Sequence, residues 1–477
     1  MSAPDPSAGA GATREIVRLA VPVLVSQLAV MANGVIDTVM AGRLSAVDLA
    51  AIGLGASIYV SVYIGLNGTL LALSPIVAQH YGAGRFAAIG ADFRQGLWLA
   101  AALSAMGCAA LVFHAPFLAL GRPPPEVAAR AGLYLYAVAC GLPAALAWRA
   151  FQALSTAVSR PQAVMAVNLA ALALKVPLNL LFMHGWQAGS AWRPDWLPDR
   201  FAWSGLGGAG CAVSTAVLAW LSVAAALALA RLDPAYRRFA LRAPDLRGWL
   251  PDAARLRGIL RLGLPTGAAY VIEVTAFTFM SIFVAGFGAT VAAAQQIASN
   301  LVGVAYMFPL ALANATGVLT AQAIGAGDAR HARRVALRGL WLALAAGVAL
   351  SAGLAAGRDA IAHAYSDDAR VAAVAAGLIV LVAAYHPFDA LQVTLAFVLR
   401  AYRIATLPMV VYAVSLWGIG LGGGWWLTFR AQPLADRLGL AGAQPFWVAG
   451  VCSVMLAGVG LSCVLWRVLR RPRAAGR

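Results

Sequence analysis

The chain has 477 residues, of which 62% are hydrophobic and only 11% charged, with a mean hydropathy of +0.79. A water-soluble domain keeps about a quarter of its residues charged, so this composition excludes one. The net charge of +17 would suit nucleic acid, but where that charge falls argues against such a partner.

In chain order, residues 1–13 are rich in Ala, Gly, Pro and Ser without an Arg-Lys start, and read as a disordered tail instead of a cleaved signal peptide. Apolar stretches follow at 14–40, 49–81, 91–113, 127–158, 161–184, 206–231, 253–286, 291–324, 330–356, 370–400, 404–429 and 445–470. The hydrocarbon core takes about 20 apolar residues per helix, so these predict twelve transmembrane helices. A membrane barrel would show ten-residue segments of alternating character instead.

The charge falls between these stretches. Arg231, Arg237, Arg238, Arg242, Arg247, Arg255, Arg257 and Arg261 lie around the sixth connection, and Arg330, Arg333, Arg334 and Arg338 follow the eighth span. Arg467, Arg470, Arg471, Arg473 and Arg477 crowd the C-terminus. Twelve spans put these segments on the side of the N-terminus, and the positive-inside rule makes that side cytoplasmic, with anionic lipid headgroups as the partner of the charge. The expected location is the cytoplasmic (inner) membrane, and a monomer is expected. The five cysteines lie within or beside apolar spans without paired spacing, and the six histidines are scattered, so neither a disulfide framework nor a metal cluster is expected.

The two halves repeat each other at a constant offset of 243 residues. Arg18-Leu19-Ala20-Val21-Pro22 matches Arg261-Leu262-Gly263-Leu264-Pro265, and Tyr63 falls on Tyr306. The run from Ala78 to Gly84 matches Ala321 to Gly327, and Gly96-Leu97-Trp98-Leu99-Ala100 matches Gly339-Leu340-Trp341-Leu342-Ala343. Six spans separate the copies, so the repeat is parallel, as in transporters whose two lobes rock about a central cavity. The expected organisation is an all-α membrane protein of two pseudo-symmetric six-helix bundles, with an N-lobe over 14–231, a basic inter-lobe linker over 232–256, a C-lobe over 257–470 and a basic tail over 471–477.

Of the 18 acidic residues, Asp37, Glu273 and Asp389 fall inside apolar spans. An ionised carboxylate in the bilayer core costs from about 2.5 to over 10 kcal/mol, so such groups face a cavity, bind a cation or stay protonated. Asp37 could also be a helix-end residue reaching the outer interface, and Glu273 a buried hydrogen-bonding group. Asp389 follows Pro387; proline removes the partner of the Ala383 carbonyl, which would place a free carbonyl and a kink beside the acid. At the offset of the repeat Glu273 faces Val30 and Asp37 faces Met280, while the similar match of Pro143 with Pro387 sets Asp389 against Ala145. The lobes therefore share a scaffold but not their acids. Tyr306 offers an aromatic face to a cation. Lys175, the only lysine, could pair with an acid across a cavity, snorkel, or meet lipid.

From Val35-Ile36-Asp37-Thr38-Val39-Met40-Ala41-Gly42 onward the chain resembles the multidrug and toxic compound extrusion (MATE) family, in its NorM-type branch. The resemblance continues through the segment from Pro75 to Gly84, Pro177-Leu178-Asn179, the segment from Ala321 to Gly327, and Pro387-Phe388-Asp389. It implies a cation-coupled exporter in which Glu273, Asp389 and Tyr306 form the coupling-cation site, binding Na⁺ through Glu273 and Asp389 if sodium is the ion. It further implies Asp37 in coupling or drug binding, Asn179 as a polar site of the first lobe, and Ser57, Gln296, Asp367 and Asp368 as contacts for cationic drugs near the outer mouth. The segment Arg400-Ala401-Tyr402-Arg403-Ile404-Ala405-Thr406 departs from the R-G-x-G-D-T turn of the family.

The expected function is an antiporter, coupled to Na⁺ or H⁺ and without further cofactor, exporting small organic cations and amphipathic drugs by alternating access. A lipid-linked oligosaccharide flippase of the same superfamily is the alternative, but it would need a cationic cavity for pyrophosphate. A membrane-embedded enzyme is remote, because no Ser-His pair, H-E-x-x-H or ligand cluster is present.

Overall fold

The computed structural model describes residues 6–121, 123–185, 203–241 and 247–470, with the side chains of 6–10, 120, 121 and 247 also outside the description. Over these residues the fold is helical: α1 (Pro6–Leu44), α2 (Ala46–Leu70), α3 (Leu73–Gly82), α4 (Phe86–Val112), α5 (Ala115–Gly121), α6 (Pro125–Ala157), α7 (Pro161–Asn179), α8 (Gly210–Leu232) and α9 (Pro234–Arg237). There follow α10 (Ala253–Ala285), α11 (Ala289–Gly325), α12 (Ala329–Ala356), α13 (Arg358–Tyr365), α14 (Ala369–Ala401), α15 (Thr406–Tyr412), α16 (Gly423–Phe429), α17 (Gln432–Arg437) and α18 (Gln444–Arg470). Twelve of the helical runs among the described residues are long and apolar enough to cross a membrane. Their ends lie within a few residues of the predicted spans. Helices dominate because hydrocarbon offers no partner for a backbone N–H or C=O, and a helix satisfies both internally.

The spans depart locally from regular α-helix, at one point for a plain chemical reason. The second span breaks between α2 and α3 because Pro75 has no N–H for the Leu71 carbonyl; Ser74 N–H donates to it instead, at 3.2 Å. The eleventh span relaxes into π-helix over Ala413–Gly422, between α15 and α16. The beginning of the chain differs from expectation: α1 starts at Pro6, inside the stretch read as a disordered tail. Residues 1–5 and the predicted tail 471–477 lie outside the described residues.

The chain divides into two compact units, one of Val25–Val77 with Arg85–Arg261 and one of Met1–Leu24, Ala78–Gly84 and Leu262–Arg477. The first unit is built around α6, which packs on α2, α4, α7 and α8; the second is built around α14, which packs on α11, α12, α13 and α18. These two central helices carry the interior prolines Pro143 and Pro387, the pair that the repeat aligns.

The boundaries differ from the predicted lobes at the linker. Residues 232–256 were expected between the lobes; their described part is clasped to α4 within the first unit. Arg94 donates through Nε to the Gly248 carbonyl and through Nη1 to that of Ala240, both at 2.8 Å. Gln95 donates to the Leu250 carbonyl at 3.0 Å and accepts from the Asp252 N–H at 2.9 Å, while Trp98 Nε1 donates to the Trp249 carbonyl at 2.6 Å. Arg255 pairs with the buried Asp92 at 2.7 Å. The repeat places Val335, Leu337 and Arg338 where Asp92, Arg94 and Gln95 stand, so the clasp belongs to the first half alone.

Inside the second unit two glycines let backbones touch. A Cβ on Gly82 would fall on the Gln322 backbone, and one on Gly325 would fall on the Gln79 backbone. The two positions are equivalents under the repeat, as are Gln79 and Gln322, so one close approach is made twice with the roles exchanged. Gln79 also ties the departing turn, donating to the Ala401 carbonyl and accepting from Arg403 Nε, each at 2.8 Å.

Arg94→Ala should cost about 2–4 kcal/mol, because it removes charged hydrogen bonds and leaves carbonyls buried without donors. A lower melting temperature in detergent, with faster tryptic cleavage after Arg237 or Arg238, is the expected reading. Gly325→Val should lower the folded yield much more than Gly258→Ala, whose site has nothing within 4 Å; size-exclusion profiles of the two variants compare them directly.

Candidate functional site

In the first unit, α1 and α7 bring Asp37, Lys175 and Asn179 together. Lys175 and Asn179 are four residues apart and share one face of α7. Asp37 Oδ1 receives Lys175 Nζ at 2.9 Å and Asn179 Nδ2 at 2.8 Å. Lys175 Nζ also reaches Thr215 Oγ1 at 2.6 Å, Ser214 Oγ at 3.1 Å and the Cys211 carbonyl at 3.2 Å, all on α8. Ser214 Oγ in turn donates to the side-chain amide oxygen Oδ1 of Asn179. The Lys175 side chain is 0% exposed and that of Asp37 13%, so the lysine neither snorkels nor meets lipid. Of the readings open from sequence, pairing with an acid is the one realised. Asp37 is not a helix-end residue, since α1 runs on to Leu44.

In the second unit, residues of α10, α11, α14 and α15 line a small cavity of about 20 Å³. Glu273 and Tyr306 line it together with Tyr270, Tyr412 and Arg400. The guanidinium of Arg400 lies 3.8 Å from the centre of the Phe397 ring and 5.8 Å from that of Tyr270, so the aromatic faces beside this cavity already hold a protein cation. Asp389 does not line it. It is 1% exposed on α14, within electrostatic reach of Glu273.

Asp389 belongs to a polar row that sequence reading did not assemble. His386, Asp389 and Gln392 stand at i, i+3 and i+6 on one face of α14, each 1% exposed. Gln392 Nε2 donates to Asp389 Oδ1 at 3.0 Å, and His386 Nδ1 lies 4.0 Å from Asp389 Oδ2. Asp389 Oδ2, Gln392 Oε1 and both ring nitrogens of His386 are buried without a hydrogen-bond partner. Four such atoms together are costly unless something satisfies them. One proton would meet part of that demand; a Na⁺ ion would find two hard oxygens here and need several more. The spacing H-x-x-D-x-x-Q was the available signal, hidden because the histidines were read as scattered. The helix continues through Pro387, packed at Gly347, where a Cβ would lie 3.1 Å from the Pro387 Cα.

The outer-mouth candidates are dispersed. Ser57 is exposed and donates back to the Gly53 carbonyl at 2.8 Å. Gln296 lines a cleft of about 610 Å³ with Asn300, Tyr365 and Ser366, and its neighbour Gln295 is instead buried against Trp447 at 2.7 Å. Asp367 and Asp368 are exposed, and Asp368 caps α14 by accepting the Arg370 N–H at 2.8 Å. Among the described residues no group of three or more His, Cys, Asp or Glu side chains is placed to hold a metal ion.

Comparison with known proteins fits this architecture. The MatE family profile matches residues 22–181 and again 265–426, two matches that begin at the two repeat-related prolines. A "Probable multidrug resistance protein NorM" of Aromatoleum aromaticum is 36% identical over 453 residues, covering 95% of this chain and 93% of that protein. "Multidrug resistance protein PmpM" of Pseudomonas aeruginosa is 34% identical over 466 residues, covering 96% and 92%. Among solved structures, the eukaryotic MATE transporter AtDTX14 superposes with a TM-score of 0.83 at 16% identity, over 96% of each chain. The Vibrio cholerae MATE transporter VcmN in its bent form gives 0.79 at 16%, over 97% and 98%. At those identities the superpositions establish the fold. Together with the sequence relatives and the doubled profile match, they make the chain a member of the MatE family, a multi-pass membrane transporter and not an enzyme.

Proposed function

We propose that the protein is a cation-coupled antiporter exporting organic cations and amphipathic drugs across the inner membrane, with both termini cytoplasmic. The observation that carries this reading is the presence, within one unit, of a cavity-lining Glu273 and a buried Asp389 whose second oxygen lacks a hydrogen-bond partner. Two carboxylates close enough to interact cannot both stay ionised in a low-dielectric site without a cation. A coupling ion, H⁺ or Na⁺, satisfies them, and its binding favours release of the organic cation held on the Asp37 side. Alternating exposure of such a site yields exchange. The names of the relatives from Aromatoleum and Pseudomonas support drugs as the cargo, and the side on which the arginines lie supports the orientation. Glu273, Asp389 and Tyr306 are assigned to the coupling ion, and Asp37 and Asn179 to the substrate side. Ser57, Gln296, Asp367 and Asp368 are retained as outer contacts for the drug.

The buried cations speak against an oligosaccharide-lipid flippase. Lys175 is closed off by Asp37, and Arg94 is spent on the linker carbonyls. Arg400 shares its cavity with Glu273, so each of these three cations already has a protein partner.

Purified protein in proteoliposomes should expel ethidium when a Na⁺ gradient or a pH gradient is imposed, and the two arms identify the ion. The double variant Glu273→Gln, Asp389→Asn should insert normally and lose gradient-driven efflux by tenfold or more, on the order of the 1.4 kcal/mol or larger change that loss of a charged interaction brings. Efflux by that variant at the wild-type rate would overturn the assignment.

A further inference from the structure

The Asp37 site contains its own cation. Lys175 is fully buried, its ammonium is held by one carboxylate oxygen, two hydroxyls and a carbonyl, and its partner Asp37 remains 13% exposed. Gly34, which shares the face of Asp37 on α1, is exposed as well, so the carboxylate can be approached from that side. Cys211 and Tyr134 are the titratable groups seen to interact with the pair, and both are ordinarily neutral at pH 7. The pair therefore has a net charge of zero, although it is built around an acid.

We propose that Lys175 is a specificity-determining residue: a tethered counter-cation that occupies Asp37, so that an organic cation must compete with it for the carboxylate. The proposal rests on the export of organic cations argued above, and it adds the rule by which the first unit admits them. An unpaired Asp37 would hold a monovalent cation strongly and release it slowly. With the ammonium already bound, the incoming cation gains only the difference between two ion pairs, which keeps its hold weak and reversible. Neutral amphipathic compounds do not feel that competition. Lys175 acts here through Asp37 and is not itself a contact for the drug.

Four proteins spanning three net charges test this. The pair is 0 in the wild type, −1 in Lys175→Gln, +1 in Asp37→Asn and 0 in the double variant. Binding of ethidium, a monovalent cation, and of Nile red, a neutral dye, is measured by fluorescence polarisation on purified protein in detergent. Lys175→Gln should bind ethidium about tenfold tighter than wild type and Asp37→Asn about tenfold more weakly, a size set by one unit charge in a partly screened site. The double variant should return to within about threefold of wild type, since charge and not the carboxylate as such decides the order. Nile red should bind all four alike. Unchanged ethidium binding by Lys175→Gln overturns the proposal, and so does a double variant as weak as Asp37→Asn.

If a neutral residue at 175 prevents folding, the comparison moves to Asp37→Asn and Lys175→Arg. The first should lose ethidium and keep Nile red, the second should keep both, and equal ethidium binding by Asp37→Asn and wild type is then the overturning result. Wild-type ethidium efflux in proteoliposomes runs in parallel. Its absence would sink the export reading, while the charge order is judged by binding alone.

Discussion

A charge buried in hydrocarbon has to take its partner with it, and this constraint organises both units. Ion hydration cannot be recovered within the bilayer, so each buried ionic group is paired, stacked or left for a mobile ion to satisfy. The first unit pairs: Lys175 with Asp37, and the buried Asp92 with Arg255. Asp48 does the same, meeting Arg130 at 2.7 Å and the Gly208 N–H at 3.1 Å. The second unit stacks Arg400 on Phe397 and leaves Asp389 Oδ2 unpartnered. The first unit closes these three pairs within itself, and the second retains a demand that an ion can meet.

That contrast is drawn on a duplicated frame. Both halves centre on a helix with an interior proline, and Gly82 and Gly325 make the same close approach with exchanged roles. The frame needs only small residues and apolar faces at fixed positions, so it survives divergence. Functional groups are not constrained in this way. The linker clasp through Arg94 and Gln95 has no counterpart in the second half, and neither acid pair falls on an acid under the repeat. Duplication preserved the packing and left the polar positions free to specialise.

What the sequence revealed follows the same division. Span number, span ends and the repeat were legible because bilayer thickness and apolar periodicity act locally along the chain. The three membrane acids were legible because an ionisable residue in an apolar run stands out. Partners were harder, since pairing is a property of helices meeting in space. Lys175 lies 138 positions from Asp37, and nothing in its own neighbourhood selects pairing over snorkelling. The row of His386, Asp389 and Gln392 was readable as an i, i+3, i+6 pattern, but attention to the carboxylate alone obscured its neighbours. The clasped linker escaped notice because arginine-rich segments usually face headgroups, whereas Arg94 donates to the backbone of that segment.

The neutral pair and the open acid site have different consequences for exchange. A site that is neutral before the substrate arrives binds cations weakly, and its occupancy is set by competition more than by attraction. A site with an unpartnered carboxylate oxygen binds a cation because of that oxygen, and responds steeply to the ion available. An antiporter needs both properties, a cargo site that lets go and an ion site that discriminates between the two membrane faces. A single acid of intermediate strength would perform each task poorly. Placing Lys175 beside Asp37 and withholding such a lysine from Asp389 separates the two tasks between the halves. If the protein is the antiporter proposed above, this asymmetry of charge over a shared scaffold is the feature that would let one ion drive out another.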